Sequence, residues 1–582
     1  MNKNLNYTEL PIYIASSRQT TEANKTGNWR VLIPQYEEKA SPCCASCPAG
    51  EDIALIQMLT AEGLFKKAWE KILMENPFPA VCGRVCHHPC EIDCNRKDFD
   101  EAVAINSIER FLADLAAEKG YRPFSKKPEP KQEKIAITGA GPAGLSAAWF
   151  LSRMGYKCDI FEAKSEPGGI LRWGIPAYRL PAEVLQKEID MIRAAGAEIH
   201  CNHSVSASDL INIKNKYNAV FVGCGHGRSR RLGIKGENSA VDGLSFLSEL
   251  RQGKPRPLHG RVVVLGGGNT AVDTARSVLR MGGAPLIVYR RRREDMPAFP
   301  EDINSAIEEG VEFLELYAPV EIKKNNQGCL LTLQKMKVAG LGDGKRANVE
   351  PEAGETKKID AQMIIKAIGA GPAADWNKPS GASEDVLNLS NAILRFDDSG
   401  FPVIVGGDLA AEIKSVAHAV ASGKHAAIAL DILFTKGRDK IKKIMESCAV
   451  SNRGSLSFEA YLNPDRRWRK PATVAFEQIN TDYFNKAERV SFPRRTRQEA
   501  LQGFAETDLS IPENLALLEA ARCFNCGTCN QCDNCFIFCP DVAVLHDNSE
   551  QGRHINYDYC KGCGICVAEC PRNAMTLKGE QQ

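Results

Sequence analysis

The chain has 582 residues, 43% of them apolar and 25% charged. That length corresponds to about three to five domains, and the balance excludes extended disorder. Lys+Arg (74) and Asp+Glu (72) nearly cancel to +2, so no basic surplus points to nucleic acid.

No run of 18 strongly apolar residues marks a membrane helix. The opening MNKNLNYTELPIYIASS lacks the apolar centre of a secretion signal, so a cytoplasmic location is expected. Of the 22 cysteines, seventeen fall in residues 43–94 and 523–570. In a reducing compartment such blocks point to metal or cluster ligation, not disulfides.

The first block reads Pro42-CCASCPAGEDI and then Ala80-VCGRVCHHPCEIDC. Ile53, Ile56, Leu59, Leu64, Ala68 and Ile72 recur between them at helical spacing. A helical, cysteine-bearing domain is expected over 1–128.

Residues 134–164 read as strand, tight turn, helix, strand. Gly139, Gly141 and Gly144 form G-x-G-x-x-G around Pro142 and Ala143. The first glycine permits the turn, the second lets backbone approach a pyrophosphate, and the third lets helix pack on strand. Glu162 ends the second strand, where a carboxylate accepts ribose hydroxyls. This is expected to be the FAD site.

A second unit starts at Arg261. Gly266, Gly268 and Ala271 form G-x-G-x-x-A, with Asn269 and Thr270 inside the turn. Arg290 stands where an NAD-selective acid is found, followed by Arg291, Arg292 and Arg293. Guanidinium groups there suit a 2′-phosphate, favouring NADP over NAD. The alternative is a solvated basic loop, with some arginines binding only the shared diphosphate.

Val403-IVGGDLAAEIKSVAHAVASGKHAA brings Gly407 and Asp408 to a helix start. In two-dinucleotide flavin reductases that pairing binds the ribityl chain and pyrimidine side of the flavin. The flavin domain is therefore expected in two parts, 129–255 and 376–435, with the NAD(P) domain 256–375 inserted and Ala367-IGAGP as the return. Cys158, Cys201, Cys224, Cys329 and Cys448 are isolated and read as small buried hydrophobes. Lacking a C-x-x-C beside the flavin, the chain is expected to pass electrons to clusters.

Residues 436–515 read as a connector with basic patches, Arg466-RWRKP and Pro493-RRTR, either wrapping the body or docking an acidic partner. The last domain, 516–582, carries two C-x2-C-x2-C-x3-C-P runs. This is the two-cluster ferredoxin pattern, in which the fourth cysteine of each run crosses to the other cubane. Cys529, Cys532, Cys535 and Cys570 are assigned to one [4Fe–4S] cluster, and Cys560, Cys563, Cys566 and Cys539 to the other. A pair of zinc knuckles is the alternative.

The C-P after the first cysteine group, C-G-x-V-C, and Gly168-GILRWGIPAYRLP closely resemble the small subunit of glutamate synthase and its relatives. These relatives include the N-terminal part of dihydropyrimidine dehydrogenase and the large subunit of NADH-dependent ferredoxin:NADP oxidoreductase. The resemblance spans roughly residues 40–435 and implies Gly169 and Leu171 as flavin contacts. It implies Cys47, Cys86 and Cys90 as ligands of a cluster near the flavin, with Glu109 as fourth ligand or else a helix-surface glutamate. Cys82 matches a cysteine that is not a ligand. A second family cluster uses an R-C-x-x-C pair that is missing upstream of Cys43, whereas Arg522-CFNC carries that pattern as Cys523 and Cys526. The expectation is that these two join Cys43 and Cys94, making four clusters; three remain if they are structural.

The C-terminal ferredoxin narrows the resemblance to iron–sulfur flavoproteins serving dissimilatory sulfite reductase. It is equally similar to NAD(P)-linked subunits working with 2-oxoacid:ferredoxin oxidoreductases or benzoyl-CoA reductase. The expected fold is α/β, with two nested Rossmann-like domains between a helical iron–sulfur domain and a ferredoxin-like domain. The expected function is electron transfer between NAD(P)H and a ferredoxin or partner subunit, within a hetero-oligomer. The flavin converts hydride to single electrons and no acid–base residue is required. The rivals are a glutamate synthase small subunit and a non-catalytic cluster scaffold.

Overall fold

The strand–turn–helix alternation of residues 134–222 folds as a parallel sheet in the computed structural model, which describes residues 24–123, 128–254, 257–325, 328–341, 346–372, 382–463, 470–548 and 552–580. Two units result. The larger is Pro42–Arg466 with Lys486–Cys523; the smaller is Met1–Ser41, Arg467–Asn485 and Phe524–Gln582.

In the larger unit the flavin-domain sheet runs Ala382–Asn388, Ala392–Asp397, Pro402–Gly406, Ala219–Val222, Lys134–Thr138, Lys157–Phe161, Ala197–His200. The first three strands are antiparallel to one another, and Pro402–Gly406 joins Ala219–Val222 in parallel. The strand that completes the seam thus comes from beyond the second dinucleotide unit. Helix Val416–Lys436 packs across helix Pro142–Arg153. A Cβ on Gly423 would stand 2.4 Å from the Ala143 carbonyl oxygen, so the two helices touch backbone to backbone.

The inserted sheet is parallel throughout, in the order Glu312–Glu315, Ala284–Tyr289, Arg261–Leu265, Met363–Lys366, Val241–Asp242. Between its strands rises an antiparallel meander, Tyr317–Asn325, Gly328–Leu341 and Ala347–Ala361. Alternating Leu331 and Leu333 face inward with Ile322 and Ile359 and bury against Val263, Leu265 and Ile364.

Helices Ile53–Ala61, Phe65–Glu75, Pro79–Val85 and Ile105–Lys119 form the N-terminal body. Asp52 caps the first, accepting from Leu55 N at 3.2 Å. Ile53, Ile56, Ile72, Leu73, Phe78 and Ile108 share one core with Trp149 and Phe150 of the fingerprint helix.

The smaller unit has short helices Asn534–Ile537 and Ile565–Ala568, a hairpin of Val544–His546 with Arg553–Ile555, and strand Leu32–Tyr36 antiparallel to Met575–Gly579. Two expected boundaries shift. Residues 24–41 belong here and not to the N-terminal body, because that strand pairing takes them. Helix Glu513–Ala521 belongs to the larger unit, where Ala516 and Ala520 enter the core. The expected connector is divided between both units. Within Arg466–Pro471, residues 466–469 lie outside the described residues, as does the N-terminal stretch to residue 23.

Candidate functional site

The first turn requires its outer glycines for packing. Gly139 has φ +94°, and a Cβ there would lie 2.7 Å from Gly223 O; at Gly144 it would lie 2.0 Å from Gly139 O. Gly141 differs: a Cβ there would meet nothing closer than Gly169 Cα at 4.0 Å. The protein's own packing does not demand this glycine; a pyrophosphate lying on the backbone would. Pro142 is the first residue of the helix and Ala143 is buried in it. The stretch Gly168-Gly169 folds back over the turn, with Gly168 N donating to Ala140 O at 2.7 Å. A Cβ on Gly169 would stand 2.8 Å from Gly141 Cα. Leu171 is fully buried. Glu162 lies beneath the turn, accepting from Ala140 N at 2.8 Å and Lys164 N at 2.9 Å. Gly407, at φ +62°, donates its N–H to Ser422 Oγ at 2.6 Å. The neighbouring Asp408 carboxylate accepts no hydrogen bond among the described residues, and burial raises its pKa.

The second turn repeats the logic. A Cβ on Gly266 (φ +142°) would lie 2.2 Å from Ala367 O, whereas at Gly268 the nearest atom is Pro297 Cγ at 4.0 Å. Ala271 is fully buried. Asn269 Oδ1 accepts from Phe299 N at 2.9 Å, and Thr270 follows it in the helix Asn269–Arg280. The four arginines separate. Arg291 Nε donates to Ala347 O at 2.8 Å, Arg292 pairs with Asp295 at 2.9 Å, and Arg293 with Glu315 at 3.7 Å. Arg290 is exposed at the strand end with no hydrogen bond or ion pair among the described residues. The flavin and NAD(P) parts are tied by Arg179, whose Nη1 donates to Asp273 Oδ2 at 2.9 Å. Its other Nη meets Asp302 at 2.8 Å.

In the N-terminal body Cys47, Cys86, Cys90 and Glu109 act on one another electrostatically. Burial pushes the Cys86 thiol up to about 12 and holds Cys47 and Cys90 well above the usual range. Thiolates in such a place need a neutralising metal centre. Glu109 is half-buried, and burial together with Glu51 and Glu188 raises its pKa. Asn76 Nδ2 bridges Glu51 Oε1 (2.8 Å) and Glu109 Oε1 (3.2 Å). Sequence reasoning missed Glu51 and Asn76, which lie just outside the two ends of the apolar helical stretch, before Ile53 and after Glu75. Cys82 is buried beside the set. Cys43, Cys94 and Cys523 form a second set, in which hydrogen bonding to Cys44 and then burial raise the Cys43 thiol. Cys526 belongs to the smaller unit.

The ferredoxin cysteines line two cavities. Cys529, Cys532, Cys535 and Cys570 surround one of about 360 Å³. Cys539, Cys560, Cys563 and Cys566 surround one of about 320 Å³. Tyr36 Oη lies 3.2 Å from Cys535 Sγ. Backbone N–H groups of Ala543 and Ala574 donate to Cys539 Sγ (3.2 Å) and Cys570 Sγ (3.3 Å). A single zinc ion with sulfurs at about 2.3 Å would draw them to within about 4 Å of one another. Among the described residues no three cysteine sulfurs lie within 4.8 Å of one another.

Three stretches of the chain match known families. Residues 133–423 match the pyridine nucleotide-disulphide oxidoreductase family, residues 36–121 the dihydropyrimidine dehydrogenase domain II, 4Fe-4S cluster, and residues 553–576 the 4Fe-4S binding domain. The chain is 31% identical over 536 residues to the NADPH-Fe(3+) oxidoreductase subunit beta of Geobacter sulfurreducens, covering 87% of this chain and 77% of that one. It is 34% identical over 414 residues to the glutamate synthase [NADPH] small chain of Escherichia coli, covering 66% and 87%. It is 34% identical over 432 residues to the NADP(+)-dependent formate dehydrogenase subunit beta of Moorella thermoacetica, covering 68% and 60%. No helix among the described residues is long and apolar enough to cross a membrane. The chain belongs to the pyridine nucleotide-disulphide oxidoreductase family, as an FAD- and [4Fe–4S]-dependent electron-transfer oxidoreductase of NAD(P)H resembling the glutamate synthase small chain.

Proposed function

We propose that the chain is the NADPH-handling subunit of a cytoplasmic hetero-oligomer, exchanging electrons with a partner oxidoreductase or a ferredoxin. The observation that carries this reading is the pair of turns whose middle glycines have no atom closer than 4.0 Å to an added Cβ, in a chain that also gathers buried thiols. When bound, FAD supplies the conversion between hydride and single-electron chemistry. The chain's own residues hold the carriers. Gly141 and the helix start at Pro142 receive the FAD pyrophosphate, Glu162 the ribose, and Asp408 with Gly407 the flavin end. Gly169 and Leu171 close the turn from above. Gly268, Asn269 and Thr270 receive the NADPH diphosphate, and Arg290 takes the 2′-phosphate because its three neighbours are engaged elsewhere.

Cys47, Cys86, Cys90 and Glu109 hold one [4Fe–4S] cluster; Cys43, Cys94 and Cys523 contribute to another. The two ferredoxin quartets hold two more. Similarity to relatives named as a beta subunit and a small chain supports a partner subunit. A glutamate synthase small subunit remains the second reading, favoured by the Escherichia coli relative. Anaerobic assay of methyl viologen reduction with NADPH and NADH, alongside native co-purification, tests the proposal. A flavin-replete preparation without dye reduction would refute it, and a co-purifying glutamine-binding subunit would select the second reading.

A further inference from the structure

The two ferredoxin repeats correspond position by position, and their backbones agree. Gln531, Asp533 and Val542 have φ of +59°, +68° and +49° in the first repeat; Gly562, Gly564 and Asn573 have +70°, +79° and +56° in the second. Their outer faces nevertheless differ. Ile537, Phe538 and Val542 stand at the positions taken by Ala568, Glu569 and Asn573.

The second repeat's face is occupied by the unit's own strap, residues 478–484. Asn480 N donates to Pro571 O at 3.2 Å, and Asn480 Nδ2 to Ala568 O at 3.5 Å. Tyr483 Oη donates to Glu569, and Asn573 Nδ2 to Gln478 O at 3.4 Å. Arg572 lies over the Phe484 ring at 5.3 Å. The same strap reaching all these residues shows that they share one face.

On the first repeat the corresponding apolar side chains are bare: Ile537 is 66% exposed, Phe538 46% and Val542 67%. Val542 is also a β-branched residue in the left-handed region, where its twin is the better-suited asparagine. Folding alone favours neither that backbone with valine nor those three exposed groups. Phe538 and Val542 flank Cys539, which lines the second cavity. Among the described residues, the ion pairs of this unit set Asp533, Asp541, Asp547 and Asp558 against Lys25, Arg553 and Lys561, with His546 and His554 beside Asp533 and Asp547, a net of −1 with the histidines neutral. Cubanes ligated by four thiolates add further negative charge.

We propose that Ile537, Phe538 and Val542 form the docking face for a one-electron carrier protein with an apolar patch inside a basic rim. The apolar face matches the patch, and the small negative balance of these groups, together with the charge of thiolate-ligated cubanes, matches the rim. The inference rests on the reading that electrons reach the ferredoxin clusters. One NADPH gives two electrons, which reduce two ferric carriers one at a time, and NADP⁺ and one proton are released.

The test uses the holoprotein with cytochrome c, a lysine-rimmed one-electron haem protein, and methyl viologen, a small dye that requires no docking face. The variant I537A/F538E/V542N carries the twin repeat's residues, and V542N alone relieves the backbone. The expected result is a fall of at least tenfold in kcat/KM for cytochrome c in the triple variant, about threefold in V542N, with viologen rates and iron content unchanged. Added salt should slow cytochrome c reduction by the parent protein. Equal cytochrome c kinetics in parent and both variants would overturn the proposal. So would a preference for an acidic flavodoxin over cytochrome c, or a change in oligomeric mass in the variants, which would make the face a self-contact. If the triple variant loses iron, V542N decides alone. Absence of viologen reduction in the parent would instead refute the oxidoreductase reading.

Discussion

Lys424 Nζ lies 2.6 Å from Glu75 Oε2, and both side chains are sealed from solvent. The lysine comes from the long helix that packs on the fingerprint helix, the glutamate from the N-terminal body. Glu75 also accepts from Phe458 N at 2.7 Å and Glu459 N at 3.1 Å, so the ion pair is fully bonded. Lys424→Met would leave a buried carboxylate without its cation and is expected to cost about 3–5 kcal/mol. Adding Glu75→Gln should recover part of the loss, because the amide is neutral and its one oxygen still accepts from one of the two backbone N–H groups. Thermal unfolding of the holoprotein checks both; equal stability of parent and single variant would contradict the pairing.

His425, the next residue, is also fully buried. Its Nδ1 is 2.9 Å from Leu389 O, and burial lowers its pKa to about 3. Neutral in the fold and protonated when unfolded, it contributes stability that is complete above its ordinary value near 6.5 and declines as pH falls through 6.5 towards 3. From pH 6.5 to 5 the parent should lose about 2 kcal/mol more than His425→Leu. Urea midpoints followed by tryptophan emission at the two pH values measure this.

Arg290→Ala should lower kcat/KM for NADPH about 10- to 100-fold, the worth of one charged hydrogen bond to phosphate, and leave NADH nearly unchanged. Arg291→Ala should lower stability through its lost bond to Ala347 and leave the NADPH:NADH ratio alone. Steady-state viologen reduction with each nucleotide separates them.

Anaerobically purified protein should contain about 16 iron atoms per chain if four cubanes are present. Cys523→Ala and Cys43→Ala should each lower this to about 12 with unchanged flavin content. A parent value near 12 would remove the cluster proposed on Cys43, Cys94 and Cys523. Iron quantitation with electron paramagnetic resonance of the reduced protein provides the readout.

Val542→Asn should stabilise the smaller unit by about 1 kcal/mol, because asparagine tolerates a left-handed backbone that costs valine. The shift belongs to the transition of the ferredoxin chromophores, followed at visible wavelengths. Destabilisation would mean that the isopropyl group makes a contact needed for folding.

Both dinucleotide turns were legible because glycine requirements are local: a few residues decide whether the backbone can turn. The ferredoxin quartets were legible because their spacing is itself the geometry. Lys424–Glu75 and Glu51–Asn76–Glu109 were not, since those partners meet only in the folded chain. Four consecutive arginines announced a basic strand end, but spacing does not reveal that Ala347, Asp295 and Glu315 engage three of them. Residues 516–521 adjoin the last cysteines in the chain, yet Glu519 accepts from Ala104 N at 2.7 Å in the larger unit, a contact that spacing does not reveal.

The late arrival of Pro402–Gly406 has a consequence during synthesis. The ribosome delivers the whole nicotinamide module before the strand that closes the sheet beside Ala219–Val222. Until then the nascent chain presents an open parallel edge, and a chaperone or early flavin capture would have to shield it. Any translational pause placed before residue 402 would prolong that vulnerable interval.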